Sequence, residues 1–192
     1  MAYAGFWRRF GAFWADFVVL LPLAGFAYVG GEYSRLFQIY WHLPSLSFGL
    51  WYHVYLVTRY GGTPGKLILN MRIAMVDGSP ATLKAAFIRY AILLVLAELM
   101  AIAMIMVVLG MTDEEYFSLG YMARAKRMVE IAPSWYHVLE ILMQIWIWSE
   151  FITMLFNKKR RAIHDFIAGT VVLKGRQPNP LMQPTGHETA GG

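Results

Sequence analysis

One segment, residues 87–110, limits the possible folds more than any other. Its 24 residues include only two charged side chains, Arg89 and Glu98. A helix of about 20 such residues spans the hydrocarbon core of a bilayer. The whole chain is 58% hydrophobic and 15% charged, whereas soluble domains carry about 25% charged residues. We therefore predict an integral membrane protein, and we expect neither a coiled coil, a disordered chain nor a nucleic-acid-binding domain.

Three further windows are long enough to cross a membrane: residues 10–29, 38–58 and 135–156. The second of these is the least apolar and contains Pro44, where we expect a kink. The sequence thus predicts an all-α membrane protein, a four-transmembrane-helix bundle. Asp16 interrupts the first apolar run and no small-residue cleavage site follows it, so we expect a retained span rather than a cleaved signal.

The positive charges are distributed unequally among the loops of this four-span arrangement. Thirteen Lys and Arg residues flank the spans on one side, and four lie on the other. Because positive loops stay in the cytoplasm, we predict that both termini are cytoplasmic. The outer loop, residues 111–133, is expected to form a short amphipathic helix on the membrane surface.

The loop between the second and third spans has strand-like features. Residues 67–76 alternate imperfectly and are followed by Asp77 and Gly78, a turn signal. Residues 170–173 form another short β-rich run, and both runs lie on the cytoplasmic side. We predict a small cytoplasmic β element within one membrane domain, residues 1–176, followed by a disordered tail over residues 177–192.

Arg9 and Asp16 are seven residues apart and lie on one face of the first helix. A carboxylate inside a span is costly unless it is paired or solvated. Asp16 is therefore either a proton or ion ligand or the structural partner of an arginine from another helix.

Other polar side chains within the spans form a candidate polar pathway: Glu98, His137, Glu140, Gln144, Glu150 and His53. Each alone is explained by packing and a hydrogen bond, whereas several membrane carboxylates together suggest a route for ions or protons. A metal site is not favoured, because the spacing specifies no third ligand.

Basic residues beside the spans are expected to contact anionic lipid headgroups: Lys66, Lys158, Lys159, Arg160 and Arg161. The run from Gly61 to Lys66 is similar to a phosphate loop. It has one residue too few between its glycines, and Leu67 stands where Ser or Thr is needed, so we interpret it as a turn.

Catalytic patterns are not found in the sequence. The G-x-S-x-G and H-E-x-x-H motifs are both absent. We predict a non-enzyme without a cofactor. Its expected partners are the lipid bilayer and either a second copy of the chain or another membrane protein, with no nucleic acid.

Three separated blocks resemble the RDD family of bacterial membrane proteins, which is named for one arginine and two aspartates: residues 6–16, residues 62–78 and residues 161–172. Arg9 matches the family's arginine, Asp16 its first aspartate and Asp165 its second. The resemblance implies an inner-membrane location and suggests transport of an unidentified ligand, with cation/proton exchange in some members.

We predict a charge cluster of Arg9, Asp16, Arg89, His164 and Asp165 at the cytoplasmic mouth, in which Asp16 pairs with Arg89 and Asp165 balances Arg9. The leading hypothesis for function is a transport-related protein. The alternative is a non-catalytic structural or assembly partner of another membrane complex, and a membrane enzyme is third.

Overall fold

The structure, a computed structural model, describes residues 2–156 and 160–175, without the side chains of Glu150 and Met154. It is mostly helical, as predicted. Four helical rods coincide with the four apolar windows: α1 (Phe6–Tyr33); α2 (Phe37–Leu50), continued by a π-helical turn (Trp51–Tyr55) and α3 (Leu56–Tyr60); α5 (Leu83–Gly110); and α8 (Ser134–Phe156).

Two helices of the described residues, α1 and α5, are long and apolar enough to cross a membrane by length and composition. Large apolar side chains point from these rods toward the outside of the bundle. Val18 on α1, Val95 on α5 and Ile141 on α8 are 59%, 56% and 61% exposed. An apolar outer surface of this extent is typical of helices covered by lipid.

The second rod departs from regular α-helix, but not at the expected place. The chain continues as α2 through Pro44, and α-helical bonding gives way to the π-helical turn seven residues later. The rod ends at Gly61, whose φ of 85° is a left-handed conformation that glycine adopts without strain. Pro64 then occupies the first turn of the short helix α4 (Pro64–Ile68), where its missing N–H costs nothing.

A two-stranded antiparallel sheet forms, as predicted, from β1 (Met71–Met75) and β2 (Thr170–Lys174). The strand starts later than expected. Leu67 and Ile68 belong to α4, because the helix begun at Pro64 ends only at Leu69 and Asn70 turns the chain with φ 53°.

Both faces of the sheet are covered, and alternate residues take opposite faces. Ile73 and Val172 pack with Ala12 of α1 and Val57 of α3, which closes the bundle at this end. The other face packs against Tyr3, and the N-terminal residues run beside β2. We call this the sheet end of the molecule, and the opposite end of α1 the loop end.

The loop end contains two short helices where the sequence predicted one, α6 (Asp113–Ser118) and α7 (Tyr121–Glu130). Arg124 pairs with Glu32, and Arg35 pairs with Asp113. These ion pairs attach both helices to the turn between α1 and α2. The last short helix, α9 (Ile163–Ile167), returns to the sheet end before β2.

The sheet register can be tested because the chain contains no cysteine. Ile73 lies opposite Val172 in the sheet. The Ile73 N–H donates to the Gly61 carbonyl and not to β2, so the two residues form a non-hydrogen-bonded pair, in which the Cβ atoms lie close together. Ile73→Cys with Val172→Cys should form a disulfide under mild oxidation, seen as a mobility shift that a reductant reverses. Leu173→Cys on the opposite face should not crosslink to residue 73, and equal crosslinking of both pairs would contradict the register.

Candidate functional site

The centre of the sheet end is the Asp165 carboxylate, which is fully buried and shared by two arginines. Arg9 Nη1 donates to Oδ2 at 3.0 Å, and Arg89 Nη1 donates to Oδ1. The Thr170 hydroxyl also donates to Oδ1, and the Ala162 N–H donates to Oδ2, both at 3.0 Å. The two oxygens therefore hold together α1, α5 and the segment that follows α8.

These partners decide the protonation state of Asp165. Burial alone raises the pKa of a carboxyl group, because it removes the charged form from water. Arg89, His164 and Arg9, together with the Ala162 N–H, outweigh that effect and hold the pKa of Asp165 well below its usual range. Asp165 is therefore a permanent anion at neutral pH.

The predicted pairing of Asp16 with Arg89 is wrong. Asp16 Oδ1 accepts hydrogen bonds from the Tyr52 hydroxyl at 2.6 Å and the Gly65 N–H at 2.7 Å, and Oδ2 accepts from the Thr63 hydroxyl at 2.6 Å. Arg89 pairs with Asp165 instead. Arg9, which was the predicted partner of Asp165, contacts the same carboxylate. Helix α4 lies across α1 and satisfies Asp16 with local donors.

Gly65 is required for this arrangement. A Cβ added there would lie 2.3 Å from the Ala12 carbonyl oxygen and 2.7 Å from Asp16 Cγ, so only glycine lets α4 approach α1 this closely. Tyr52 and Thr63 were not predicted as partners of Asp16 from the sequence. For Thr63 the sequence did contain a usable signal. Pro64 marks the first turn of a helix, and Gly65 permits that helix to approach a neighbour closely.

Two of the basic residues expected at lipid headgroups, Lys66 and Arg161, bond within the protein. The Lys66 ammonium lies 3.3 Å from Thr63 Oγ1 and 3.9 Å from Asp16 Oδ2. Arg161 donates to the Thr170 and Asp165 carbonyls at 3.0 and 2.7 Å, which fixes the turn between α9 and β2.

The other residues predicted to contact lipid headgroups are Arg160, Lys158 and Lys159. The Arg160 side chain is exposed, and its carbonyl accepts from Arg9 Nη2 at 2.6 Å. Lys158 and Lys159 lie outside the described residues. His164, the last member of the predicted cluster, is buried with its Nε2 3.8 Å from Asp165 Oδ1. Four of the five cluster members thus meet around Asp165.

A cavity of about 370 Å³ adjoins this cluster. Its wall comes from one face of α1, the π-helical turn, α5, α8 and the start of α9. The cluster residues Arg9, Asp16, Arg89 and His164 line it, together with Lys66. Its volume falls within the roughly 300–1,000 Å³ range of small-molecule sites.

Five residues of the predicted polar pathway have described side chains, and these five are not assembled at one site. Among the five, only His53 lines the cavity, where its ring stacks on Tyr90 at 4.5 Å. Glu98 instead contacts His42 of α2 at 3.1 Å. The side chain of Glu150 lies outside the described part of the chain.

The remaining three pathway residues lie on an outward face of α8. His137 contacts Glu140 at 3.2 Å, their side chains are 49% and 40% exposed, and Gln144 is exposed one turn farther. The helical spacing correctly placed them on one stripe, but that stripe faces away from the bundle. Sequence periodicity alone does not show which face of a helix is buried.

The comparison with known proteins identifies one family. The sequence description of the RDD family matches residues 3–169, which include Arg9, Asp16 and Asp165. No curated protein and no solved structure matches the chain.

Replacing Asp165 by Asn should lower the free energy of unfolding by about 3–5 kcal/mol, since it leaves two buried arginines without their anion. The native pKa is depressed, so as pH falls through about 4 the unfolded chain gains a proton that the native carboxylate does not. The difference in free energy of unfolding between the wild type and Asp165→Asn should therefore be about 1 kcal/mol smaller at pH 3 than at pH 7.

Denaturant titration in a neutral detergent at the two pH values measures this difference. Asp77→Asn is the matched control, because Asp77 is an exposed carboxylate that bonds only Ser79 in its own turn. An effect of Asp165→Asn on the free energy of unfolding no larger than that of the control at either pH would contradict the shared ion pair.

Proposed function

The chain belongs to the RDD family of membrane proteins, and we propose that it crosses a bacterial inner membrane four times with both termini in the cytoplasm. The second rod and α8 have 24 and 23 residues, lengths of about 35 Å each, enough for the hydrocarbon core. The thirteen-to-four distribution of Lys and Arg supports a cytoplasmic sheet end.

We further propose a transport-related function in which the cavity binds the solute. The observation that carries this proposal is a cavity of about 370 Å³ between membrane-type helices, with charged groups at one end. Binding sites of transporters lie between helices, and ionisable side chains within membrane-spanning helices often mark the path of a substrate or an ion. The cavity meets that description in both respects.

Cation or proton movement along the membrane carboxylates is the form of transport that the sequence analysis favoured. The geometry favours solute binding in the cavity instead. Asp16 lines the cavity, whereas Glu98 and Glu140 bond to His42 and His137 elsewhere. We extend the proposal to a non-catalytic role, because the sequence contains neither the G-x-S-x-G nor the H-E-x-x-H motif.

The second candidate function is a structural or assembly partner of another membrane complex, or of a second copy of the chain. The exposed polar stripe of His137, Glu140 and Gln144 on α8 favours it. If α8 spans the membrane, these groups face lipid unless a neighbouring protein covers them, which is costly. The two functions are compatible, since the stripe and the cavity occupy different faces.

Access to the cavity tests the transport proposal. Leu93 lines the cavity, and Leu93→Cys would be the only thiol in the chain. We expect a charged, membrane-impermeant thiol reagent to modify it from the cytoplasmic face quickly and from the outer face more slowly, because transport requires alternating access. Right-side-out and inverted vesicles separate the two faces.

Ile102→Cys is the matched control on the same helix, since Ile102 is 46% exposed on the outer surface and lies outside the cavity wall. It should resist the reagent from both faces. Modification of Leu93→Cys from one face only would indicate a binding site without transport. If the reagent fails to modify Leu93→Cys from either face, the cavity is not the proposed solute site.

A further inference from the structure

The outward face of α8 has a polar side chain at the middle of the helix. Gln144 lies about 15 Å from the first residue of α8 and about 18 Å from the last. Its side chain is exposed, and no residue that the structure describes forms a hydrogen bond with its carboxamide. If α8 spans the bilayer, this carboxamide lies near the midplane, where no water is present to bond it.

A carboxamide without partners is costly in hydrocarbon, because its N–H and C=O groups lose the hydrogen bonds that they form with water. In membrane proteins such a side chain commonly bonds a polar side chain of a neighbouring helix. Gln144 therefore calls for a helix that packs on the outward face of α8 and offers both a donor and an acceptor at the same depth.

Gln144 belongs to a row of residues that has the spacing of a helix–helix contact. His137, Ile141, Gln144 and Trp148 follow one another at intervals of four, three and four residues, so they share one side of the helix. Ile141 and Trp148 are 61% and 59% exposed, and His137 and Gln144 are also exposed. We call these four residues the contact stripe. Two helices with this spacing pack at a crossing angle of about 20°.

The polar groups of the contact stripe are complementary to a second copy of themselves. A carboxamide both donates and accepts, so two Gln144 side chains related by a two-fold axis can bond each other reciprocally. Glu140, at the edge of the stripe, contacts His137 of its own helix at 3.2 Å. A carboxylate accepts several hydrogen bonds, and His137 of the second copy is within about one turn of it.

The membrane itself aligns two copies for this contact. All copies of a membrane protein insert with the same orientation, because the same positive charges set it. The α8 helices of two copies are therefore parallel, and Gln144 of each lies at the same depth. Glu140 precedes Ile141 by one residue, about 100° around the helix, so the two-fold axis places the two Glu140 carboxylates at opposite edges of the contact.

We propose that the chain forms a two-fold symmetric dimer through the contact stripe, with the two Gln144 carboxamides bonded to each other near the middle of the membrane. This inference rests on the proposed function, because it takes α8 as a membrane span and its polar stripe as an interaction surface. It adds the identity of the partner, a second copy of the chain, and the geometry of the contact. Each copy keeps its own cavity, whose α8 wall contains Trp146 and Ile147.

Crosslinking between two differently tagged copies tests the identity of the partner. The chain contains no cysteine, so Ile141→Cys introduces its only thiol. Two copies with this change and different epitope tags are co-expressed, and the membranes are oxidised. We expect a product of twice the chain mass that carries both tags, because equivalent positions of the stripe face each other across the two-fold axis. Trp148→Cys should give the same product and serves if Ile141→Cys does not fold.

Leu142→Cys is the matched control. Leu142 is 44% exposed and lies at almost the same depth as Ile141, about 100° around the helix. It should crosslink about tenfold more slowly, because its Cα atoms are too far apart in the dimer for a disulfide.

The role of the carboxamide is measured in phosphatidylcholine vesicles that contain the purified Ile141→Cys chain at a series of protein-to-lipid ratios. Adding Gln144→Leu should raise the ratio needed for half-maximal crosslinking about tenfold, because the reciprocal pair is lost. Adding Gln144→Asn, which keeps a carboxamide, should leave that ratio within about threefold of the Ile141→Cys value.

Each other outcome overturns the inference in a distinguishable way. Equal crosslinking of Ile141→Cys and Leu142→Cys would show random collision. Products of other masses that lack the second tag would show that another protein covers the stripe, and no product from Ile141→Cys or Trp148→Cys would show that lipid covers it. An unchanged ratio for Gln144→Leu would show that the carboxamide does not hold the copies together. Rapid modification of Ile141→Cys and Leu142→Cys by a charged, membrane-impermeant reagent would refute the proposed span itself.

Discussion

The sheet end depends on a single buried anion. Asp165 accepts hydrogen bonds from Arg9 of α1 and Arg89 of α5, and it belongs to the segment that follows α8. A buried ion pair is costly to desolvate, and further hydrogen bonds help to offset that cost. Thr170 and Ala162 each donate one such bond to the carboxylate. The carboxylate therefore fixes the relative positions of three segments that are distant in sequence.

Asp16 has a corresponding role on the other side of the cavity. It attaches α4 to α1 and the π-helical turn through Gly65, Thr63 and Tyr52. The two family aspartates thus join the elements that form the walls of one cavity. In this account the carboxylates fix the shape of the proposed binding site.

The sequence predicted much of this arrangement, because strong physical constraints are local. Apolar length defined all four rods, and the β-rich runs defined both strands. The charge cluster predicted at the cytoplasmic mouth already placed Asp165 next to Arg9. The pairing of Asp16 could not be predicted, since it depends on how closely α4 approaches α1 at Gly65. The outward direction of His137 and Glu140 depends on the rotation of α8 against its neighbours, which periodicity does not determine.

A double-mutant cycle between Arg89 and Asp165 tests the central claim most directly. Arg89→Met and Asp165→Leu should each destabilise the protein, because the first leaves Asp165 with one arginine and the second leaves both arginines without their anion. The double variant should lose less than the sum by about 2 kcal/mol or more, since the Arg89–Asp165 interaction can be lost only once. Arg89→Met with Asp16→Asn should be additive. Additivity within about 0.5 kcal/mol for Arg89 with Asp165, or coupling of Arg89 to Asp16 instead, would contradict the account.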